Sequence, residues 1–230
     1  MKPKDLKSTF KWETRAPLLK ELILYVPAHY SNHEQYSMPS LKEVFGNDNP
    51  VCIEYCSGNG DWIIEKAREN TAVNWIAVEK QFERVRKIYS KRENRGVKNL
   101  LIVCGEALTF TKYYLPENSI KKIYINFPDP WPKHRHAKHR LIRGEFVEEL
   151  SRVIVEHGDS LFVTDDTDYC RSIIKDLIQS ELWSSIYPGP HFITNVVDYG
   201  YSFFDSLWRK LGKDIYHMQF KNLKKDPLCR

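Results

Sequence analysis

The segment NFPDPWPKHRH at residues 126–136 carries the residue types and spacing that most clearly indicate chemistry. Proline occupies three of the five positions 128–132, and because each ring fixes φ and removes an N–H donor, the sequence predicts a rigid loop. Asp129 and Trp131 lie in this loop, which runs into residues 133–143 with five Lys or Arg, three His and no acid. A rigid acid and an aromatic ring next to positive charge indicate a pocket for a flipped base flanked by phosphate contacts. The alternative is that Trp131 packs and Asp129 caps a turn.

A glycine turn at residues 57–60 is the second candidate site, because it follows the apolar run VCIEYC at 51–56. Gly58 and Gly60 allow a tight turn and a close approach of the backbone to a ligand, and the N–H groups of a helix starting there point at what is bound. Ile63 stands where a dinucleotide fingerprint has its third glycine, so the pattern gives little support to pyrophosphate recognition.

Acidic residues follow the next two predicted strands. Glu79 lies 19 residues after Gly60, at a strand end where a carboxylate can accept both ribose hydroxyls of a nucleoside. The third strand ends at Cys104, Gly105 and Glu106, where an acceptor can meet an adenine amino group. These features at successive strand ends favour a nucleoside ligand without a pyrophosphate, namely S-adenosylmethionine, over an ordinary turn and a solvated acid.

The candidate residues need a sheet that brings strand ends together. Short apolar runs alternate with helical spacing from about residue 50, which predicts an α/β fold with an open, mostly parallel, doubly wound sheet. Such sheets bind ligands at the carboxyl ends of their strands. The predicted strands are 51–56, 73–79, 100–104, 121–127 and 160–165, and the predicted helices are 61–70, 81–95, 144–158 and 167–180. Runs at about 192–197 and 214–220 could add an antiparallel edge.

The composition excludes several classes of protein. With 42% hydrophobic and 13% aromatic residues in 230, the chain can bury a core and is not mainly disordered. No run approaches the roughly 18 apolar residues of a membrane span, and the apolar stretch 22–28 is followed by no signal-peptide cleavage site. The five cysteines lack zinc-site spacing, so the sequence predicts reduced thiols, no metal and a cytoplasmic location.

Positive charge is concentrated in three segments, although the net charge is only +5. Residues 1–20 contain six Lys or Arg against two acids, residues 209–230 contain seven against two, and 133–143 is the third segment. This segregation favours a polyanionic partner over ordinary solvated charge runs, because neutralised phosphates release counterions. Residues 1–38 lack a clear period and are expected to form a partly flexible basic arm.

The chain resembles the bacterial tRNA (guanine-N7-)-methyltransferase family over about residues 45–220. The most specific part of the resemblance is NFPDPWPK, followed by the His/Arg/Lys run and LIRGEF. It implies a Rossmann-like class I S-adenosylmethionine-dependent methyltransferase fold over residues 39–230, closed by an antiparallel edge strand. It also implies S-adenosylmethionine as cofactor, tRNA as partner and the variable-loop guanosine at position 46 as target. No obligate protein partner is implied, and a monomer and a homodimer both stay open.

The resemblance also implies roles for individual residues. Asp129 is implied as the catalytic residue. Cofactor contacts are implied for Glu54, Glu79, Glu106 and Asp129, together with the glycine turn at Gly58 and Gly60. Contacts to tRNA are implied for Lys133, Asp165, Ser202, Phe203, Phe204 and Asp205.

The sequence departs from the family pattern at four positions. Cys56 stands at the first glycine of the first-strand motif, and Glu106 stands where aspartate is common. In the C-terminal motif, Asp205 replaces the usual glutamate and Leu207 stands where a basic residue usually follows.

The expected reaction depends on positioning. Guanine N7 carries a lone pair and no proton, so its methylation needs orientation and the exclusion of water rather than a general base. Asp129 is expected to accept hydrogen bonds from the guanine N1–H and amino group and to offset the charge that develops on the ring. The histidines at 134, 136 and 139 are expected to be phosphate or packing residues.

Three other functions stay open at this point. Methylation of an exocyclic amino group ranks second, because Phe127 interrupts the Asn/Asp-Pro-Pro-aromatic loop that this chemistry normally uses. A catalytically silent nucleic-acid-binding module would take up no S-adenosylmethionine. A nicotinamide oxidoreductase is disfavoured by the missing third glycine.

Overall fold

The computed structural model describes residues 1–7 and 15–224. Contacts between residues group the chain into two compact units, Met1–Leu115 and Pro116–Arg230. Glu54, the glycine turn, Glu79 and Glu106 belong to the first unit, whereas Asp129 and the predicted tRNA contacts belong to the second. In the described part of the chain, no helix has the length and apolar character needed to cross a membrane.

In the residues that the structure describes, the first unit contains a five-stranded sheet and four α-helices. Its strands are β1 (Leu18–Lys20), β2 (Ile23–Tyr25), β3 (Val51–Tyr55), β4 (Asn74–Glu79) and β5 (Leu100–Cys104), and its helices are α1 (Leu41–Phe45), α2 (Asp61–Glu69), α3 (Phe82–Asn94) and α4 (Ala107–Tyr114). The strand order is β1-β2-β5-β4-β3, and all neighbours are parallel except β1, which is antiparallel to β2. All of β3 and β4 is buried, as expected for parallel strands covered on both faces.

Part of the predicted N-terminal arm is integral to this sheet. Ile23 and Tyr25 pair in parallel with Ile102 and Cys104 of β5, and β2 is fully buried. The Arg92 guanidinium of α3 donates to the carbonyl oxygens of residues 21 and 22 at 2.8 and 2.9 Å. The segment 18–25 therefore extends the sheet, and residues 3 and 4 contact α3 through Arg86. A partly flexible arm remains a prediction for the other residues of 1–38.

The described residues of the second unit also form a five-stranded sheet, which is mixed. Its strands are β6 (Ile120–Asn126), β7 (Ile154–Thr164), β8 (Trp183–Ser185), β9 (Ile193–Thr194) and β10 (Tyr216–Asn222), and its helices are α5 (Gly144–Val153), α6 (Thr167–Gln179) and α7 (Phe203–Lys210). β6 and β7 are parallel, and β10 pairs antiparallel with β7, β8 and β9. The predicted antiparallel edge is therefore confirmed.

The predicted helix over 144–158 is wrong beyond Val153. Residues from Ile154 onward belong to β7, whose register with β6 shifts between the pairs Ile120–Ile154 and Lys122–Asp159. Gly158 lies in this irregular segment, where an added Cβ would come within 2.6 Å of an Ile154 side-chain carbon. This glycine therefore permits close packing within a distorted strand and does not end a helix.

Candidate active site

The turn between β3 and α2 is held by backbone hydrogen bonds, one to β4 and one within the turn. The Ser57 N–H donates to the Val78 carbonyl at 3.1 Å, and the Gly60 N–H donates to the Ser57 carbonyl at 2.8 Å. Gly60 has a φ of +78°, and a Cβ there would lie 2.8 Å from a side-chain carbon of Ile88 on α3. A side chain at Gly60 would therefore both strain the backbone and separate the turn from α3.

Glu79, the last residue of β4, reaches this turn. Its side chain is 4% exposed. One carboxylate oxygen accepts from the Gly58 N–H at 3.0 Å, and the other accepts from the Gln81 N–H at 2.8 Å. The Arg84 guanidinium lies 3.7 Å away. The predicted ribose-binding carboxylate is thus fixed against the glycine turn by charge-assisted hydrogen bonds.

The two other predicted acids of the first unit lie at the carboxyl ends of the strands on either side of β4. Glu54 on β3 is 2% exposed, and its carbonyl accepts from the Ser57 hydroxyl at 3.0 Å. Glu106 follows β5, is exposed, and caps α4 by accepting from the Thr109 N–H at 2.8 Å. The β4 and β5 ends are joined because the Gly105 N–H donates to the Glu79 carbonyl at 3.1 Å.

The residues of the first unit fit S-adenosylmethionine. Three carboxylates at the ends of β3, β4 and β5 offer acceptors for the hydroxyl, amino and ammonium groups that this molecule carries. The same charges would repel the pyrophosphate of a dinucleotide. The set of groups therefore suits a cationic nucleoside.

Cys104, which ends β5, is not suited to nucleophilic chemistry. Burial, and then the nearby charge of Glu79, raises the pKa of the Cys104 thiol to about 12. The thiol therefore stays protonated at neutral pH, and a thiol is a poor nucleophile in that form.

Cys56 adopts a backbone conformation that suits glycine. Its φ is +60°, which costs a residue with a Cβ about 1 kcal/mol or more.

We expect Cys56→Gly to raise the melting temperature by about 2–4 °C, which calorimetry would measure. Asn59→Gly in the same turn is the matched control, because its φ is not positive and added chain entropy should lower its stability. Equal shifts in both variants would contradict the proposed strain.

In the second unit, the loop at residues 127–132, called the proline loop below, leaves the end of β6. Phe127 and Trp131 have φ values of +48° and +45°. The Phe127 N–H donates to the Val163 carbonyl at 2.8 Å, and the Arg140 guanidinium donates to the Pro130 carbonyl at 2.9 Å. The loop is therefore held at Phe127 and at Pro130, on either side of Asp129, whose side chain is exposed.

The basic stretch folds back on the proline loop. Residues His134–His139 form a 3-10 helix, and the Trp131 ring contacts the rings of His136 and His139 at centroid distances of 6.0 and 5.2 Å. Lys133 is exposed. The contacts of His136 and His139 agree with the expected packing role, whereas Lys133 is accessible to a phosphate.

The predicted tRNA contacts near the C-terminus include residues with clear structural roles. Ser202 caps α7 by accepting from the Asp205 N–H at 3.0 Å, and Asp165 accepts from the Lys213 ammonium at 2.6 Å. Phe203 is 49% exposed. The Phe204 ring lies 6.2 Å from the Phe127 ring of the proline loop. Their contacts with tRNA stay predictions.

The structure also shows three residues that the sequence did not single out. Arg140 holds Pro130, as described above. Arg209 donates to Asp205 at 2.7 and 3.1 Å and to the Val196 carbonyl at 2.8 Å. The Tyr199 hydroxyl donates to the Asn126 side-chain oxygen at 2.6 Å. No signal in the sequence marks Tyr199, because its partner lies 73 residues away.

His217 on β10 is a buried histidine, 5% exposed. Burial lowers its pKa to about 4, an effect that Asp205 opposes and Arg209 reinforces. As the pH drops, the unfolded chain therefore takes up this proton before the folded protein does. The free energy of unfolding falls between about pH 6.5 and pH 4 by at most about 1.4 kcal/mol per pH unit. Urea unfolding of His217→Phe should depend less on pH across this window than unfolding of the parent protein or of His29→Gln, an exposed control. An unchanged pH dependence would contradict the assignment.

Comparisons with known proteins bear on the family and the fold of the chain. A family model described as "Putative methyltransferase" matches residues 48–218. A tRNA (guanine-N(7)-)-methyltransferase of Chlamydia felis is 50% identical over 220 residues, covering 96% of this chain and 97% of the relative. A solved antibiotic-related methyltransferase covers 82% of this chain and 97% of its own, with a TM-score of 0.56 at 16% identity. A solved SAM-dependent methyltransferase of Aquifex aeolicus covers 79% of this chain and 87% of its own, with a TM-score of 0.52 at 14% identity.

The two solved structures show that the fold is the α/β fold of S-adenosylmethionine-dependent methyltransferases. The family model and the Chlamydia felis relative, which is similar over almost the whole length of both sequences, identify the family as well as the fold. The chain belongs to the tRNA (guanine-N7-)-methyltransferase family.

Proposed function

We propose that this protein transfers the methyl group of S-adenosylmethionine to N7 of guanosine in tRNA, at position 46 of the variable loop. Family membership supports the substrate and the donor. The observation that carries the proposal is the proline loop, which presents an exposed carboxylate on a restrained backbone next to a basic 3-10 helix.

Residues of the first unit bind the cofactor. Glu79 accepts from the ribose hydroxyls, while its hydrogen bond to the Gly58 N–H keeps the carboxylate oriented. Glu54 and Glu106 supply further acceptors, and the turn at Gly58 and Gly60 allows the backbone to approach. When bound, S-adenosylmethionine supplies a methyl carbon attached to a positively charged sulfur.

The proline loop orients the base. Asp129 accepts from the N1–H and amino group of guanine, which fixes the edge of the purine and offsets the positive charge that develops on the ring. Because N7 has no proton to lose, no side chain acts as a general base. Restrained backbone at Phe127 and Trp131 limits the motion of Asp129 and so favours one orientation of the base.

Residues of the second unit bind tRNA. Lys133 contacts a phosphate, and Asp165 and the segment Ser202–Asp205 contact the folded RNA. The basic stretch 133–143 attracts the polyanion and makes binding weaken with salt. We place the protein in the cytoplasm, as a monomer or homodimer without an obligate partner.

The test is transfer of tritiated methyl groups to bulk tRNA, followed by nucleoside analysis of the product. We expect 7-methylguanosine and no label in a transcript with 7-deazaguanosine at position 46, because carbon replaces the acceptor nitrogen. Label recovered as an N2-methylated guanosine would instead support amino methylation. Label that still enters the deaza transcript at the same position would overturn the proposed acceptor atom.

A further inference from the structure

The residue before the proline loop, Asn126, has a buried side-chain amide that is held by a tyrosine distant in sequence. Asn126 ends β6 and is buried. Its side-chain oxygen accepts a 2.6 Å hydrogen bond from the Tyr199 hydroxyl. This short bond joins a half-buried hydroxyl to a buried amide, and it is costly to break because the buried acceptor then loses a partner.

The residue after Asn126 is in a conformation that needs support. Phe127 has a φ of +48°, which is uncommon for a residue with a bulky side chain. Its N–H donates to Val163 at 2.8 Å, and its ring contacts Phe204. Tyr199 and Phe204 thus support consecutive residues at the base of the loop.

Tyr199 is itself held in place from two directions. Its ring meets the edge of the buried His217 ring at a centroid distance of 5.0 Å and an angle of 71°. Three residues earlier, the Val196 carbonyl accepts from Arg209, which also pairs with Asp205 on the same helix. The segment before α7 is therefore a fixed support and not a loose connection.

We propose that Tyr199 is a positioning residue for methyl transfer. By holding the Asn126 side chain, its hydroxyl fixes the direction in which the proline loop leaves β6, and through the loop it fixes the orientation of Asp129. This inference rests on the proposed function of Asp129. Because small errors in the placement of a reacting group lower rates steeply, the loss of one hydroxyl is expected to reduce the rate of transfer.

Tyr199→Phe tests the proposal, since it retains the ring against His217 and removes only the hydroxyl. We expect the single-turnover rate at saturating tRNA to fall by about 10-fold, with the Kd for S-adenosylmethionine within twofold of the parent value. Tyr187→Phe is the matched control, because Tyr187 is a half-buried tyrosine of the same unit that no described contact links to the proline loop. Melting temperatures of both variants report whether the fold is retained.

A double variant separates positioning of Asp129 from an independent effect. If Tyr199 acts through Asp129, Tyr199→Phe combined with Asp129→Asn should be little slower than Asp129→Asn alone, because the two changes remove one function. Multiplicative losses, or a Tyr199→Phe rate within twofold of the parent rate, would overturn the inference. Nucleoside analysis of the parent enzyme's product tests the proposed function separately, so the two failures are distinguishable.

Discussion

Asp129→Ala should reduce the single-turnover rate of methyl transfer by about 100-fold while leaving cofactor affinity nearly unchanged. The physical reason is that the carboxylate is exposed at the tip of a restrained loop, where it can hold the guanine but contributes little to folding. Asp129→Asn should be intermediate, since its amide oxygen can accept one hydrogen bond whereas its NH₂ opposes a donor. Rapid-quench measurements with labelled cofactor would give these rates.

Glu117→Ala provides the matched control. Glu117 is an exposed acid in the same unit that precedes β6, whereas Asp129 follows it. Its replacement removes the same charge at the opposite end of one strand, so a general electrostatic effect on tRNA binding would appear in both variants. Equal rates for Asp129→Ala and Glu117→Ala would reject the role of Asp129 in holding the base.

Glu79→Gln should weaken binding of S-adenosylmethionine by about 2 kcal/mol, or about 30-fold in Kd. The carboxylate serves the Gly58 and Gln81 N–H groups in the folded protein, and we propose that it also accepts from the ribose. An amide cannot meet all these donors, because its NH₂ faces at least one of them. Isothermal titration calorimetry measures the change directly.

Glu69→Gln is the control for this change. Glu69 is exposed at the end of α2 and precedes β4, whereas Glu79 ends that strand. Its substitution changes the net charge equally and should leave the Kd unaltered. A Glu79→Gln variant that retains its melting temperature and binds with parental affinity would contradict the assignment of Glu79.

The sequence predicted the elements whose apolar runs are long and flanked by clear breaks. The strands β3, β4, β5 and β6 and the helices α2, α3 and α6 follow their predicted ranges closely, since buried parallel strands have continuous apolar sequences. The elements β1, β2, β8 and α1 escaped prediction because three to five residues carry too little periodicity. The eight-residue helices α4 and α7 were missed as well. Helix α5 was predicted too long because the following residues, up to Gly158, continue its apolar pattern.

The candidate site was predictable only where a residue's role comes from its place at a strand end. The sequence singled out Glu79 and Asp129 in this way, and the structure places Glu79 at the end of β4 and Asp129 in the loop after β6; their roles stay predictions. The backbone of Cys56 carries a positive φ, which the departure from the glycine pattern at that position could have indicated. The two residues that support the proline loop, Tyr199 and Arg140, were not predictable. Tyr199 binds a side chain 73 residues away in the sequence, and Arg140 binds a backbone carbonyl that no side-chain pattern marks.

The hydrogen bonds of Glu79 bear on how quickly the cofactor is captured. Its carboxylate already lies out of water and against the Gly58 N–H, so little solvent has to leave it and no segment of the turn has to swing inward. Uptake should then proceed in a single fast phase in stopped-flow traces, with an observed rate that rises linearly with cofactor concentration.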